Sequence, residues 1–156
     1  MILQSVRQNA VALASFALIT ALLLSSVNNL TADRIAHAER VAAQKALLEI
    51  VPPNRHDNDL LLDTRPIPEQ FWSLLGLDEG GDIYIARSNN TPIAAIIPTV
   101  SPDGYSGNIA MIVGVNVDGS IAGVRVVDHR ETPGLGDKIE LRKSKWILDF
   151  NGRSLK

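Results

Sequence analysis

The segment Ile109-Ala-Met-Ile-Val-Gly-Val-Asn-Val117, Asp118-Gly119, Ser120-Ile-Ala-Gly-Val-Arg-Val-Val127 carries the strongest regular pattern in the chain. Ile109, Met111, Val113, Val115 and Val117 alternate with smaller or polar residues, the period-two signature of a strand. Asp118-Gly119 supplies a turn, and Ile121 to Val127 returns as the second arm of a hairpin. Two shorter strand candidates precede it. Asp82–Arg87 and Pro92–Pro98 flank Ser88-Asn89-Asn90, and the second is apolar on both sides, as expected of a buried strand. Ser101-Pro-Asp-Gly-Tyr-Ser-Gly107 lies between the two pairs and is dense in turn residues. Together these runs predict an antiparallel sheet.

The hairpin empties into Asp128-His-Arg-Glu-Thr-Pro-Gly-Leu-Gly-Asp137. Glycine has no Cβ, so such a loop can bring its backbone close to a ligand. Asp137 is expected to cap a following helix, with Glu140 as its capping-box partner. Ile139, Trp146, Ile147 and Phe150 would share one face of that helix, Arg142, Lys143 and Lys145 the other, and Asn151-Gly152 would end it. A helix N-terminus at Gly136 would attract an anion such as a phosphate, but the charge of Asp137 argues against that role.

At the other end of the chain, Gln8 to Leu30 carries no charge. About 20 apolar residues span a bilayer as a helix, because every backbone group is then satisfied within the segment. A cleaved signal peptide would have a shorter apolar region followed by a small-residue cleavage site, so the segment reads as an uncleaved single-pass anchor. Ala14, Ala17, Ala21 and Ser25 could pack on neighbouring membrane helices. Arg7 lies on one side of the span and Arg34, Arg40 and Lys45 on the other, so positive charge alone leans against a cytoplasmic N-terminus. An alanine-rich juxtamembrane helix is expected to end at Pro52-Pro53, since proline lacks the donor a helix needs. Asn54 to Gly81 reads as irregular, with Trp72 as a packing residue.

Composition narrows the chemistry. The chain has 156 residues, a formal net charge of −2 and no cysteine. There is no basic stripe for nucleic acid, no thiolate for an iron–sulfur cluster or disulfide, and no metal-ligand spacing among His37, His56 and His129. No G-x-G-x-x-G nicotinamide fingerprint follows a strand.

The order Gly104-Tyr-Ser-Gly107, strand, Asp118-Gly119, strand, His129, Glu131-Thr-Pro-Gly-Leu-Gly136-Asp137, then Lys145-Trp146 and Phe150 resembles the FMN-binding domain of the RnfG family, found in the bacterial Rnf-type ion-translocating electron transport complex. It is more distantly similar to the FMN-binding component of the sodium-pumping NADH:quinone reductase. The resemblance implies an inner-membrane protein in three parts: a transmembrane anchor over 1–30, a juxtamembrane helix over 31–53 and a periplasmic FMN-binding domain over 54–156. It implies an electron relay, not an enzyme by itself, within a hetero-oligomer that couples ferredoxin–NAD exchange to ion movement, with iron–sulfur clusters on partner subunits. Its cofactor would be FMN, held covalently through a threonine. The family's Ser/Thr-Gly-Ala-Thr attachment motif does not occur in this sequence, so no attachment residue is assigned, and the C-terminal part bearing it is expected to be missing. By resemblance, Glu131, Thr132, Gly134, Leu135 and Gly136 line the flavin, with Leu135 as an apolar wall. Tyr105 and Trp146 are further candidates, although core packing is the plainer role for Trp146. The expected fold is α+β: an anchor helix, an antiparallel sheet and helices packed on it. The competing reading is a membrane-anchored extracytoplasmic interaction module without a cofactor.

Overall fold

A computed structural model describes residues 2–154, with backbone alone for residues 2–5, 36, 39 and 40. The side chain of Arg40, counted in the charge balance above, therefore lies outside what is described. Helix α1 runs from Ile2 to Ile50, followed by β1 (Thr64–Pro66), a short helix α2 (Trp72–Leu75), β2 (Asp82–Ser88), β3 (Thr91–Ser101), β4 (Ile109–Asn116) and β5 (Ile121–Asp128). The architecture is α+β. Two compact units divide the chain, residues 1–42 and 43–156.

Among its described residues the first unit is helix alone. Val6–Ile35 is long and apolar enough to cross a membrane, and none of its most apolar window is buried within the protein. Leu13, Phe16 and Leu24 are each about 70% exposed, an arrangement that water would penalise and a lipid environment would not. The hydroxyls of Thr20, Ser26 and Thr31 donate to the carbonyls of Phe16, Leu22 and Val27, one turn back. Those polar groups are thereby satisfied without water.

The second unit is built on an antiparallel sheet in the order β1-β2-β3-β4-β5. The expected strands and both turns are present. Asn89 and Asn90 adopt φ of 49° and 63° between Ser88 and Thr91, a two-residue turn whose left-handed residues match the sheet's twist. At the next hairpin the Gly119 N–H donates to the Asn116 carbonyl and Asn116 and Ser120 pair, making a three-residue loop.

The face of the sheet that carries the core is not the one the alternation of large residues marks. On β4 the buried residues are Ile112 and Gly114, whereas Val113 and Val115 are half-buried and Val117 is 77% exposed. The last turn of α1 explains this. Leu47, Ile50 and Val51 pack on Ala86, Ala94, Ile96 and Ile112. A Cβ on Gly114 would stand 2.2 Å from Cγ2 of Ile50. Small residues face the helix because a close approach needs them, and the large alternating side chains take the opposite face.

Arg125 seals the same junction. Its Nε lies 2.9 Å from a carboxylate oxygen of Glu49, a second guanidinium nitrogen donates to the Glu49 carbonyl at 3.1 Å, and the third donates to the Val124 carbonyl at 2.6 Å. A cation at the C-terminal carbonyls of a helix also complements its dipole. The irregular segment after Pro53 is pinned by side chains. Asn58 accepts the Arg87 N–H and donates to the Ile85 carbonyl and to Asp63, whose carboxylate pairs with Arg87 at 2.6 Å. Trp72 packs as expected, its indole N–H donating to the Ile67 carbonyl at 2.8 Å.

The helix expected after the glycine loop does not form. Two short 3-10 turns stand in its place, Asp137–Ile139 and Trp146–Phe150, each without a side-chain cap. Of the expected face, Ile147 alone is fully buried; Trp146 is 51% exposed and packs edge-on against Phe150 at 5.3 Å between ring centres. The carboxylates that a capping box would use are engaged elsewhere, as described below.

Candidate functional site

Strand register decides which loops meet. Ser101, the last residue of β3, pairs with Ile109, and Asp128, the last of β5, pairs with Ala110. The loop over 102–108 and the loop that begins at His129 therefore leave the sheet at the same end. One carboxylate joins them. Glu131 Oε1 accepts the Ser106 N–H at 3.0 Å. A Cβ on Gly104 would meet the same oxygen at 2.9 Å, and a Cβ on Gly136 would meet Oε2 at 2.6 Å. The Glu131 side chain thus fills the gap between two glycine positions, one in each loop. At Gly104 a Cβ would also stand 2.1 Å from the Gly107 carbonyl oxygen, and at Gly136 2.8 Å from Cβ of Glu131; these less yielding atoms are what call for glycine there.

The second loop is tightly wound. The N–H groups of Leu135 and Gly136 both donate to the Thr132 carbonyl, at 3.1 and 3.0 Å. The Gly134 N–H donates to Asp137 Oδ1 at 2.9 Å, and Lys143 Nζ lies 3.3 Å from the other oxygen. Gly134 has φ of +81° and nothing within 4 Å of where a Cβ would stand, so its requirement is conformational and its outer side is open. His129 closes the base of the loop. Its Nδ1 accepts the Glu131 N–H at 3.1 Å, and its Nε2 lies 3.2 Å from Glu140, which also pairs with Arg142.

These contacts set the charge states. The Gly134 N–H holds the Asp137 carboxyl below the ordinary carboxylate value, Lys143 adds to this, and burial opposes it. Arg142 holds Glu140 low, with His129 contributing, and Glu140 in turn raises Arg142. Asp137 and Glu140 are therefore carboxylates at neutral pH, each braced by its donors.

The outer surface of the two loops is uncovered and mixes apolar with polar residues. Tyr105 is 95% exposed and Leu135 75% exposed. Thr132, Pro133 and Gly134 are exposed beside Leu135. An open cleft of about 500 Å³ adjoins the first loop, with Trp72, Leu77, Val100, Pro102 and Asn108 among its lining residues.

The structure therefore brings Glu131, Thr132, Gly134, Leu135 and Gly136 into one turn and ties Tyr105's loop to it. Trp146 stands in the second 3-10 turn, half exposed, and so is not the core residue that sequence patterning suggests. Three participants escape the sequence reading: Ser106, the inward set of the Glu131 carboxylate, and Asp137 as acceptor for Gly134; His129, next to the loop in sequence, hydrogen-bonds within it as that position suggests, and Glu140 is its added partner. Only the Gly-x-x-Asp spacing of Gly134 and Asp137 carries a signal for one of them.

Residues 104–154, which hold both loops, match the model of the FMN-binding domain family, and residues 1–50 match that of the RnfG N-terminal region. Tyr105 and Leu135, exposed on two backbone-tight glycine loops, suit a flat, largely apolar ring, so the residues present fit that cofactor. The fold and site define an FMN-binding protein with an N-terminal apolar helix. Its relatives are more specific. The chain is 46% identical over 150 residues to the G subunit of the ion-translocating oxidoreductase complex of Shewanella amazonensis, covering 96% of this chain and 69% of the relative. It is 47% identical over 152 residues to the G subunit of Pseudomonas aeruginosa, covering 97% and 70%, and 39% identical over 153 residues to that of Vibrio atlanticus, covering 98% and 72%. The chain belongs to the RnfG family, the G subunits of ion-translocating oxidoreductase complexes.

Proposed function

We propose that this chain is the FMN-carrying electron relay of a membrane complex that couples ferredoxin–NAD electron transfer to ion translocation. The observation that carries this reading is the joining of two glycine loops by Glu131 beneath exposed Tyr105 and Leu135, within the segment that matches the FMN-binding domain. Bound FMN supplies the electron-accepting and electron-donating ring, and the protein supplies position and electrostatics.

Each residue then has a task. Gly134 leaves the backbone open to close approach. Leu135 is the apolar wall, and Tyr105 offers a second flat surface from the neighbouring loop. Thr132 is exposed in the same turn, and Glu131, packed against Gly136, holds the two loops together. Trp146, half exposed against Phe150, is the remaining candidate. The phosphate is assigned to no residue here. Val6–Ile35 anchors the protein in the bacterial inner membrane with the FMN domain on the periplasmic side. Its partners are the membrane and iron–sulfur subunits of the complex.

The test is isolation of the complex from membranes through a tag on this protein. In-gel flavin fluorescence and a redox titration would be recorded, with topology read by reporter fusions after residue 50. A flavin on this chain, reduced by ferredoxin or NADH through the complex, with the domain outside the cytoplasm, is the expected result. A colourless chain in a functional complex would instead identify a cofactor-free interaction module.

A further inference from the structure

We propose that His129 is a positioning residue for the cofactor-facing loop, acting through its Nδ1, which accepts the backbone N–H of Glu131, with the Nε2 contact to Glu140 secondary. The proposal rests on the reading of that loop as an FMN surface.

The geometry dictates the tautomer. The Glu131 N–H donates to Nδ1 at 3.1 Å, so Nδ1 must present a lone pair. Nε2 then carries the hydrogen and donates to Glu140 Oε1 at 3.2 Å. The side chain is only 13% exposed and that of Glu140 only 19%, so water competes weakly for either bond. Arg142 on the other oxygen of Glu140 keeps that carboxylate ionised and oriented whether or not His129 is present.

The consequence lies one residue further on. Glu131 is held by its main chain to His129 and by its side chain to Ser106, and its carboxylate fills the space over Gly136. Fixing the Glu131 N–H therefore aims the carboxylate that sets the spacing of the two glycine loops. His129 acts on the cofactor surface through Glu131 without lying on that surface itself.

Two substitutions separate the two bonds of the ring. In His129→Asn the side-chain carbonyl can accept the Glu131 N–H in an Asx turn, while the Glu140 contact is lost. In His129→Gln the longer amide can reach Glu140 but leaves the Glu131 N–H without its acceptor. His129→Ala loses both.

The experiment compares the three variants with the unaltered protein in the intact complex, by amide hydrogen exchange across residues 129–137 and by the flavin midpoint potential. Exchange about five- to tenfold faster at Glu131 and its neighbours is expected in the Ala and Gln variants, the loss of one hydrogen bond, with near-original rates in Asn. The potential should move in Ala and Gln and return in Asn. Thermal unfolding guards against a variant that has simply lost its fold. Equal exchange in all three variants would overturn the proposal. Altered exchange with an unmoved potential would also overturn it, reducing His129 to a local brace. If the unaltered protein holds no flavin, the electron-relay reading fails by itself, and the exchange pattern still decides whether His129 sets the loop.

Discussion

Oε1 of Glu131 accepts the backbone N–H of Ser106 at 3.0 Å, and through that bond the loop after β5 is fastened to the loop after β3. A residue from the loop named by sequence thus organises a second loop 25 positions earlier in the chain. Removal of its carboxylate should loosen both. Glu131→Ala is expected to cost about 1–2 kcal/mol in unfolding free energy and to lower flavin occupancy, whereas Glu131→Gln keeps an acceptor oxygen and should cost less. Denaturant unfolding followed with flavin absorbance on the same samples would check both halves.

Gly134 carries a different demand. Its φ of +81° is a left-handed conformation that a β-branched side chain resists, although space for a Cβ is open. Gly134→Val should strain the turn by about 1–3 kcal/mol and displace the flavin. An unchanged flavin spectrum and potential in the variant would remove this glycine from the cofactor surface.

The pH dependence follows from Asp137 and Glu140. Both carboxyls are held below their ordinary values of 3.8 and 4.5, first by the Gly134 N–H and first by Arg142 respectively. A lowered folded-state value means that their contribution is complete above those ordinary values. It is lost as the pH falls through them toward the lowered values. The contribution of these two carboxyls to loop stability, read by hydrogen exchange or limited proteolysis within 132–143, should therefore be complete above about pH 5 and decline below it. Asp137→Asn should flatten part of that decline.

Arg125 is buried at 8% exposure and bonds Glu49 by both side chain and main chain. Arg125→Leu would leave the Glu49 carbonyl and carboxylate without their partner where α1 meets the sheet. The expected loss is about 2–3 kcal/mol, reduced from a fully buried pair because Glu49 is 37% exposed. Unfolding of the detergent-solubilised protein, followed by tryptophan fluorescence, would measure it.

The anchor makes the simplest prediction. A charge at the centre of a spanning helix costs about 2.5–3.5 kcal/mol on insertion. Leu22→Arg, near the middle of Val6–Ile35, should shift the protein from the carbonate-resistant membrane fraction toward the extractable one. An unchanged distribution would mean that the helix does not span.

Much of the architecture is legible in the sequence because it rests on local rules. The alternation from Ile109, the Asp118-Gly119 turn, the asparagines at 89–90 and the prolines at 52–53 all act over a few residues, and each appears where the pattern places it. The helix expected after the glycine loop fails because its spacing is helical but its polar residues are spent elsewhere. Asp137 accepts from Gly134 and Glu140 faces His129, so neither caps a helix, and the chain breaks into two 3-10 turns. The core role expected of Trp146 rests on that same helical face and is lost with it.

What the sequence by itself determined is the set of elements: an apolar span, four of the five strands, their turns and a Glu-Thr-Pro-Gly-Leu-Gly loop. Backbone preference and hydrophobic periodicity act between near neighbours, so they can be read without a fold. Only the tertiary structure decided which face of the sheet is the core and which loops form one site. Gly114, where a Cβ would stand 2.2 Å from Ile50, admits the end of α1, and strand register carries Ser106 to Glu131. Both outcomes depend on contacts between residues far apart in the chain, and no local pattern records them.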